Sequence, residues 1–267
     1  MLLVIDIGNT NVVFGLYEGE ALLHTFRVAT VHSRTEDEYG VLLLQLMTLR
    51  KLTYDVVHAA IIASVVPPLT DVMVQAVRHA FAREPMVVGP GLKTGMPVLY
   101  ENPREVGADR IVNAVAAYER LNGPVIVVDF GTATTFDCVS PKGEYLGGVI
   151  VPGIRVSLDA LLERAAKLSR IELVAPPRVL GKNTTNALQS GLVIGHAAMV
   201  DGVVERLQLE LGYKSHVIAT GGFGTLIAEH AKRINELDPN LTLEGLRILH
   251  ERNLPEGARR SRKSETT

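Results

Sequence analysis

The chain has 267 residues, 47% of them hydrophobic, and a formal net charge of −2 at pH 7. This size allows one or two domains with ordinary cores, and the weak negative charge argues against nucleic acid as a partner. A single cysteine excludes an internal disulfide, the N-terminal apolar residues follow no basic stretch, and the most apolar run, residues 56–66, is well short of the ~20 residues of a membrane span. We therefore expect a cytoplasmic protein without membrane segments.

The first half of the chain is predicted to begin with three strands. The first strand ends at Asp6-Ile7, and turn residues at 18–20 separate the next two, at 11–17 and 21–28. A capping box at Thr35 predicts a helix that ends near Lys51. The elements predicted after it are a buried strand at 56–63, a helix that follows Pro67-Pro68, and a short strand at 86–88.

An irregular segment then leads to the middle of the chain. Residues 89–106 hold three glycines and three prolines, which favours a loop that shapes a pocket. Helical periodicity resumes at about Asp109, and Asn122-Gly123-Pro124 ends it. We predict an N-terminal domain at 1–122, a C-terminal domain at 123–253 and a basic, flexible tail at 254–267.

The second half repeats the order of the first. An apolar strand ends at Asp129, and two further strands are predicted at 135–139 and 145–151. The elements predicted after them are a helix through 158–165, a long helix from Thr184 or Thr185 to about Leu211, a strand at 216–219, and helical segments to about Arg252. This repetition predicts an α/β fold with mixed sheets covered by helices.

The repeated phrase is Asp, an apolar residue, Gly, then small polar residues, at Asp6-Ile7-Gly8-Asn9-Thr10 and at Asp129-Phe130-Gly131-Thr132. Glycine permits a tight turn whose N–H groups can bind an anion, so two such hairpins could hold a phosphate chain. The alternative is a pair of ordinary hairpin turns. Because a carboxylate repels phosphate, this interpretation needs a cation, such as Mg²⁺ bound with ATP and a monovalent ion at the second turn. No P-loop motif is present.

Gly107-Ala108-Asp109-Arg110 lies where the irregular segment enters a helix. Asp109 could cap that helix, or it could act as a general base beside a pocket loop that contains Tyr100. The eight histidines have no zinc-ligand spacing. The apolar helix around residues 188–203 could be core or a subunit interface.

Together these motifs resemble the type III pantothenate kinase family, which belongs to the superfamily of acetate and sugar kinases, Hsp70 and actin. The resemblance runs from Leu2 to about Arg252, and no motif departs from the family pattern. It rests on five ordered motifs: Asp6-x-Gly-Asn-Thr, Gly107-Ala108-Asp109-Arg110, Asp129-Phe-Gly-Thr-Ala-Thr-Thr135, the segment 147–153, and Thr220-Gly221-Gly222.

This resemblance implies two ribonuclease-H-like domains and phosphorylation of pantothenate by Mg-ATP, the first step of coenzyme A biosynthesis. It implies a catalytic base at Asp109, potassium or ammonium at Asp129, and a homodimer whose partner completes the substrate pocket. The residues implied to bind ATP are Asp6, Ile7, Gly8, Asn9, Thr10, Asn11, Val12, Val13, Thr132, Gly221 and Gly222. Those implied to bind pantothenate are Tyr100, Gly107, Ala108, Asp109, Arg110 and Thr184.

Two alternatives use the same scaffold. One is a kinase with another acceptor, such as a small carboxylic acid or a sugar. The other is a nucleotide-dependent regulatory or actin-like assembly protein, because a fold does not determine a function.

Overall fold

The computed structural model describes residues 1–165 and 168–255, which form two five-stranded mixed sheets flanked by helices. The predicted fold class is confirmed. Most of the predicted basic tail, residues 256–267, lies outside the described part of the chain.

The first sheet has the strand order β3-β2-β1-β4-β5. Strands β1, β2 and β3 are antiparallel neighbours, whereas β4 and β5 run parallel to β1. The central strand β1 is the most apolar and is buried on both faces, as expected for a strand covered by helices. The bounds are β1 Leu2–Ile7, β2 Asn11–Glu18, β3 Ala21–Ala29, β4 Ala59–Ser64 and β5 Met86–Val87.

Two helices pack on this sheet, α1 at Glu36–Leu49 and α2 at Pro67–Phe81. The predicted capping box is present, because the Thr35 side chain accepts from the Glu38 amide and the Glu38 carboxylate accepts from the Thr35 amide. The strand predicted at 56–63 begins later than expected, since Tyr54–Val56 forms a 3₁₀ turn.

The second sheet repeats this arrangement, with the order β10-β9-β6-β7-β8. Its central strand β6 pairs antiparallel with β7 and parallel with β9. Strand β10 was not predicted, because helical segments were expected between β9 and about Arg252. The bounds are β6 Val125–Phe130, β7 Ala133–Val139, β8 Tyr145–Pro152, β9 His216–Thr220 and β10 Glu236–Leu237.

The remaining helices include one long continuous helix. It is formed by α5, a π-helical turn at Ser190–Ile194, and α6. The bounds are α3 Ala108–Leu121, α4 Ile154–Arg164, α5 Thr184–Gln189, α6 Gly195–Leu211, α7 Gly224–Ala228 and α8 Leu241–Asn253.

By length and composition alone, the segment Thr184–Leu211 could cross a membrane, with a mean hydropathy of 1.3 over its most apolar window. The sequence analysis considered only residues 56–66 and missed this segment. Its residues Val193, Ala197, Val200 and Val204 are buried in the core of the second sheet, and 33% of its most apolar window is buried.

The chain divides into two compact units. The first contains residues 1–96, 102–116 and the described residues from Thr242 onward, and the second contains 97–101 and 117–241. Helix α8 therefore belongs to the first unit, where the Thr242 hydroxyl donates to Asn113 Oδ1 at 2.8 Å. The predicted division at residue 122 places α8 in the second half of the chain, and these domain boundaries stay a prediction.

Candidate active site

In the first unit, the turn between β1 and β2 is held by hydrogen bonds around Gly8. The Gly8 amide donates to the Asn11 carbonyl oxygen at 3.0 Å, and the Thr30 hydroxyl donates to the Gly8 carbonyl oxygen at 2.6 Å. Asn9 and Thr10 are exposed at the tip. The turn therefore presents an amide and a hydroxyl side chain on a fixed backbone, as an anion site requires.

The second unit has an equivalent turn between β6 and β7. The Gly131 amide donates to the Ala133 carbonyl oxygen at 3.0 Å, which makes this turn one residue tighter than the first. Asp6 and Asp129 occupy the same place in their hairpins. Each stands one residue before the last residue that pairs across the hairpin. The repeated sequence phrase thus corresponds to a repeated structure.

Two glycines let neighbouring backbone segments come close to the second turn. A Cβ atom on Gly153 would overlap the Thr132 carbonyl oxygen, to which the Gly153 amide donates at 3.0 Å. A Cβ atom on Gly221 would overlap the Asp129 carboxylate and lie 2.6 Å from the Phe130 nitrogen. The start of α4 and the end of β9 therefore both approach this turn by backbone alone.

Backbone lies close to the Asp129 carboxylate, because a Cβ atom would lie only 3.7 Å from its Oδ1 at Gly131 and would overlap it at Gly221. Within residues 1–165 and 168–255, no three His, Cys, Asp or Glu side chains group as a metal cage.

Asp109 lies in the first turn of α3, in the first unit. Its Oδ1 accepts a hydrogen bond from the Arg110 amide at 2.8 Å. This bond to the next residue is not the contact of an N-cap, whose side chain accepts from an amide two or three residues further on. Burial raises the pKa of the Asp109 carboxyl, while this hydrogen bond and the Arg110 charge oppose the rise. A carboxyl with a raised pKa is also what a general base requires.

The Asp109 segment lies at the same end of the first sheet as the first turn. A Cβ atom on Gly107 would lie 3.7 Å from Val65 Cγ1 and would be only 2.5 Å from Asp109 Oδ1. The Val65 amide in turn donates to the Ile7 carbonyl oxygen at 3.0 Å. The structure thus brings the 107–110 segment close to the residues that follow β1.

Tyr100 and Thr184 both belong to the second unit. Tyr100 packs near Tyr145, with ring centroids 6.4 Å apart. Thr184 is exposed at the start of α5, where the Asn183 side chain caps the helix by accepting from the Asn186 amide. No described contact joins Tyr100 to Thr184.

Several side chains near the second turn were given no role by sequence reasoning. His196 lies with its Nε2 2.9 Å from the Thr134 hydroxyl, and burial lowers the pKa of its imidazole. The Arg155 guanidinium lies 5.9 Å from the ring centre of Phe223. The partners of His196 and Arg155 are far away in sequence, so a local pattern could not have predicted these contacts. The π-helical turn before His196 is a local feature of the structure, but the sequence does not show it.

Two equivalent mixed sheets, each with an aspartyl turn after its central strand, define an ATPase fold of the actin and sugar kinase class. Among solved structures, a Sinorhizobium meliloti protein described as a 2-dehydro-3-deoxygalactonokinase has a TM-score of 0.60 and 12% identity, covering 96% of this chain and 100% of that one. A Campylobacter jejuni protein described as a Baf family transcriptional activator has a TM-score of 0.57 and 19% identity, covering 94% and 98%. At these identities the likeness shows the fold alone.

The chain belongs to the type III pantothenate kinase family, whose model matches residues 2–206. A protein of Myxococcus xanthus named type III pantothenate kinase is 56% identical over 253 residues, covering 95% of this chain and 99% of the relative. Proteins of the same name from Anaeromyxobacter sp. strain K and Moorella thermoacetica are 58% and 54% identical, each covering 95% of this chain and 100% of the relative.

Proposed function

We propose that this protein phosphorylates pantothenate at its primary hydroxyl with ATP, giving 4′-phosphopantothenate, the first intermediate of coenzyme A biosynthesis. The observation that carries the proposal is the identity of 54–58% over 253 residues with proteins named type III pantothenate kinase. The aspartyl turns and the Asp109 segment supply the chemistry that this reaction needs.

In this proposal the first turn, residues 6–13, and Thr132 hold the phosphates of ATP. Backbone amides and hydroxyls bind the charge of the transferred group, which is the main catalytic contribution in phosphoryl transfer. Gly221 and Gly222 border the adenosine. Mg²⁺ arrives with ATP and neutralises phosphate charge, and Asp129 holds potassium or ammonium.

Asp109 orients the acceptor hydroxyl and accepts its proton. Its raised pKa keeps the carboxylate basic enough to receive a proton as the oxygen attacks phosphorus. Arg110 is buried beside it and balances its charge. Tyr100, Gly107, Ala108, Arg110 and Thr184 bind pantothenate.

The remaining parts of the proposal concern assembly and location. We place the reaction in the cytoplasm, in a homodimer whose partner completes the pantothenate pocket. The apolar residues around 188–203 support such an interface, although several of them also pack on the second core.

The test is an assay of ATP, Mg²⁺ and pantothenate, with and without potassium, that measures 4′-phosphopantothenate. Asp109→Asn should lower turnover by about 10²- to 10⁴-fold while ATP still binds, because the amide cannot accept the proton. Asp71→Asn, on the exposed side of α2, is the matched control and should leave turnover unchanged.

Product formation with a sugar or another carboxylic acid, but not with pantothenate, would contradict the acceptor. Filaments that form with ATP, without phosphorylation of any small molecule, would favour the assembly alternative. Near-normal turnover in folded Asp109→Asn would remove Asp109 from its role as the base.

A further inference from the structure

Tyr145, the first residue of β8, holds the segment that carries Tyr100. The Tyr145 amide donates to the Pro97 carbonyl oxygen at 2.8 Å, and the Leu99 amide donates to the Tyr145 carbonyl oxygen at 2.8 Å. Val98 forms a parallel bridge with Tyr145. Residues 97–101 are thereby attached to the second unit, although the chain on both sides of them belongs to the first.

The Tyr145 side chain reaches a buried carboxylate. Its hydroxyl donates to Asp137 Oδ1 at 2.7 Å, and the Thr135 hydroxyl donates to Asp137 Oδ2 at 3.0 Å. Asp137 and Tyr145 are both fully buried. A buried polar side chain is costly unless it is hydrogen-bonded, so these two hydroxyl groups stabilise the Asp137 side chain and fix its position.

A β-bulge makes the bond between Tyr145 and Asp137 possible. The register between β7 and β8 shifts at Cys138 and Val139, so that Val139 pairs with Tyr145 while Cys138 pairs with Gly147. Side chains two residues apart in a strand share a face, and the bulge turns Tyr145 to the face of Asp137. A regular strand would have placed them on opposite faces.

The same residues also support the Tyr100 ring. The rings of Tyr100 and Tyr145 are tilted by 58°, in the edge-to-face range. Gly147 has a φ of +118°, and a Cβ atom there would lie 3.4 Å from the Tyr100 ring. Tyr100 therefore packs against Tyr145 on one side and against bare backbone on another.

We propose that Tyr145 and Asp137 are a positioning pair that sets Tyr100 for the acceptor substrate. This inference rests on the proposed function, in which Tyr100 binds pantothenate. Neither residue of the pair touches a substrate. The pair determines acceptor affinity by fixing the segment 97–101, and nucleotide affinity does not depend on it.

Tyr145→Phe is the test, because it removes only the hydroxyl and keeps the ring beside Tyr100. We expect KM for pantothenate to rise about tenfold, in line with the loss of one buried hydrogen bond, while KM for ATP stays within about twofold. Tyr118→Phe is the matched control. It removes a hydroxyl in the same unit that makes only a 3.5 Å bond to the Pro141 carbonyl oxygen, and it should change neither constant.

A second variant, Asp137→Asn, tests the partner. The double variant should raise KM for pantothenate no more than the worse single variant, because both remove the same interaction. Equal rises in both KM values with a lower thermal midpoint would mean a structural role only. An unchanged KM for pantothenate in folded Tyr145→Phe would likewise overturn the proposal.

Hydrogen exchange of peptides that cover residues 97–101 gives a readout independent of activity. Exchange there should be faster in Tyr145→Phe than in wild type and unchanged in Tyr118→Phe. If wild-type protein does not phosphorylate pantothenate, the proposed function fails, and the exchange result still shows whether the pair fixes this segment. Unchanged exchange in Tyr145→Phe would overturn the positioning role.

Discussion

At Asp109, burial raises the pKa of a carboxyl that the proposed mechanism needs in its charged form. A raised pKa in the folded state means that the folded protein binds this proton more tightly than the unfolded chain does. The stabilising contribution is fully present below the unfolded pKa and is lost as pH rises through the folded pKa. Near neutral pH the ionised carboxylate therefore lowers the stability of the folded state.

Asp109→Asn should consequently unfold at a higher temperature than wild type at neutral pH, and the difference should shrink as pH falls through the raised pKa. The amide oxygen can keep the bond from the Arg110 amide, so that contact is not lost. Thermal unfolding of both proteins across pH measures the effect. A lower midpoint for Asp109→Asn at neutral pH would contradict the argument.

Gly221→Ala should prevent binding of ATP, whereas Gly212→Ala should leave it intact. Both glycines have a left-handed backbone, with φ of +91° and +76°, so alanine costs each about 1–2 kcal/mol in the free energy of unfolding. Only at Gly221 would the added Cβ meet the Asp129 carboxylate and the Phe130 backbone. Calorimetric titration with ATP checks this, and equal affinities in the two variants would exclude a steric role for Gly221.

Single residues differ in how far the sequence reveals them. The turns at Asp6 and Asp129 are predictable because each stands in a local phrase that repeats, and the position of Asp109 because the irregular segment enters a helix there. The contact of Tyr145 with Asp137 depends on a bulge at Cys138 and Val139, which no residue pattern there indicates. The contact of His196 with Thr134 joins positions far apart in the chain, so local pattern could not predict it.

At the scale of elements, the crossing of α8 over α3 depends on a glycine. A Cβ atom on Gly245 would overlap the Val112 carbonyl oxygen and lie 2.7 Å from Val112 Cγ1. Backbone cannot move aside as a flexible side chain can, so the helices would have to separate.

Gly245→Ala should therefore lower the free energy of unfolding by about 1–3 kcal/mol, the usual cost of overpacking, despite the better helix propensity of alanine. Gly202→Ala in α6 is the control, since its Cβ would meet only the end of the Arg206 side chain. It should be neutral or stabilising. Denaturant unfolding of both variants checks this prediction, and a stabilised Gly245→Ala would contradict the close approach.

Most elements were predictable because strong local signals define them, such as the capping box of α1 and the turn residues that bound β2, β3, β7 and β8. The late start of β4 was missed because the 3₁₀ turn at Tyr54–Val56 has no periodic pattern. Strand β10 was missed because the sequence there was interpreted as helical. The sequence also did not indicate which unit α8 belongs to. An amphipathic pattern predicts that a helix has an apolar face, but not which core that face contacts.

At the scale of the whole molecule, the two sheets share one strand order, and the repeated phrase already indicated this. Assembly remains a prediction. We expect sedimentation to give about twice the mass of 28.9 kDa. If the partner completes the pocket as proposed, specific activity should fall on dilution as dimers dissociate.

Leu188→Glu should shift the dimer towards monomer and reduce activity, since Leu188 is partly exposed one helical turn after Thr184. Leu49→Glu, which changes an exposed leucine at the end of α1, should leave the mass unchanged. A dimer that survives Leu188→Glu would place the interface elsewhere, and an active monomer of the wild type would remove the need for a partner.

The packing of α8 with the first unit has a consequence for the protein on the ribosome. A Cβ atom on Gly15 in β2 would lie 3.1 Å from Leu243 Cδ1 in α8, so a residue made very early lies beside one made very late. All residues of the second unit are translated before α8 leaves the exit tunnel. Translation of the first unit thus begins before that of the second unit and ends after it. In a nascent chain stalled before α8, the apolar surface of the first unit that α8 covers would be exposed to chaperones.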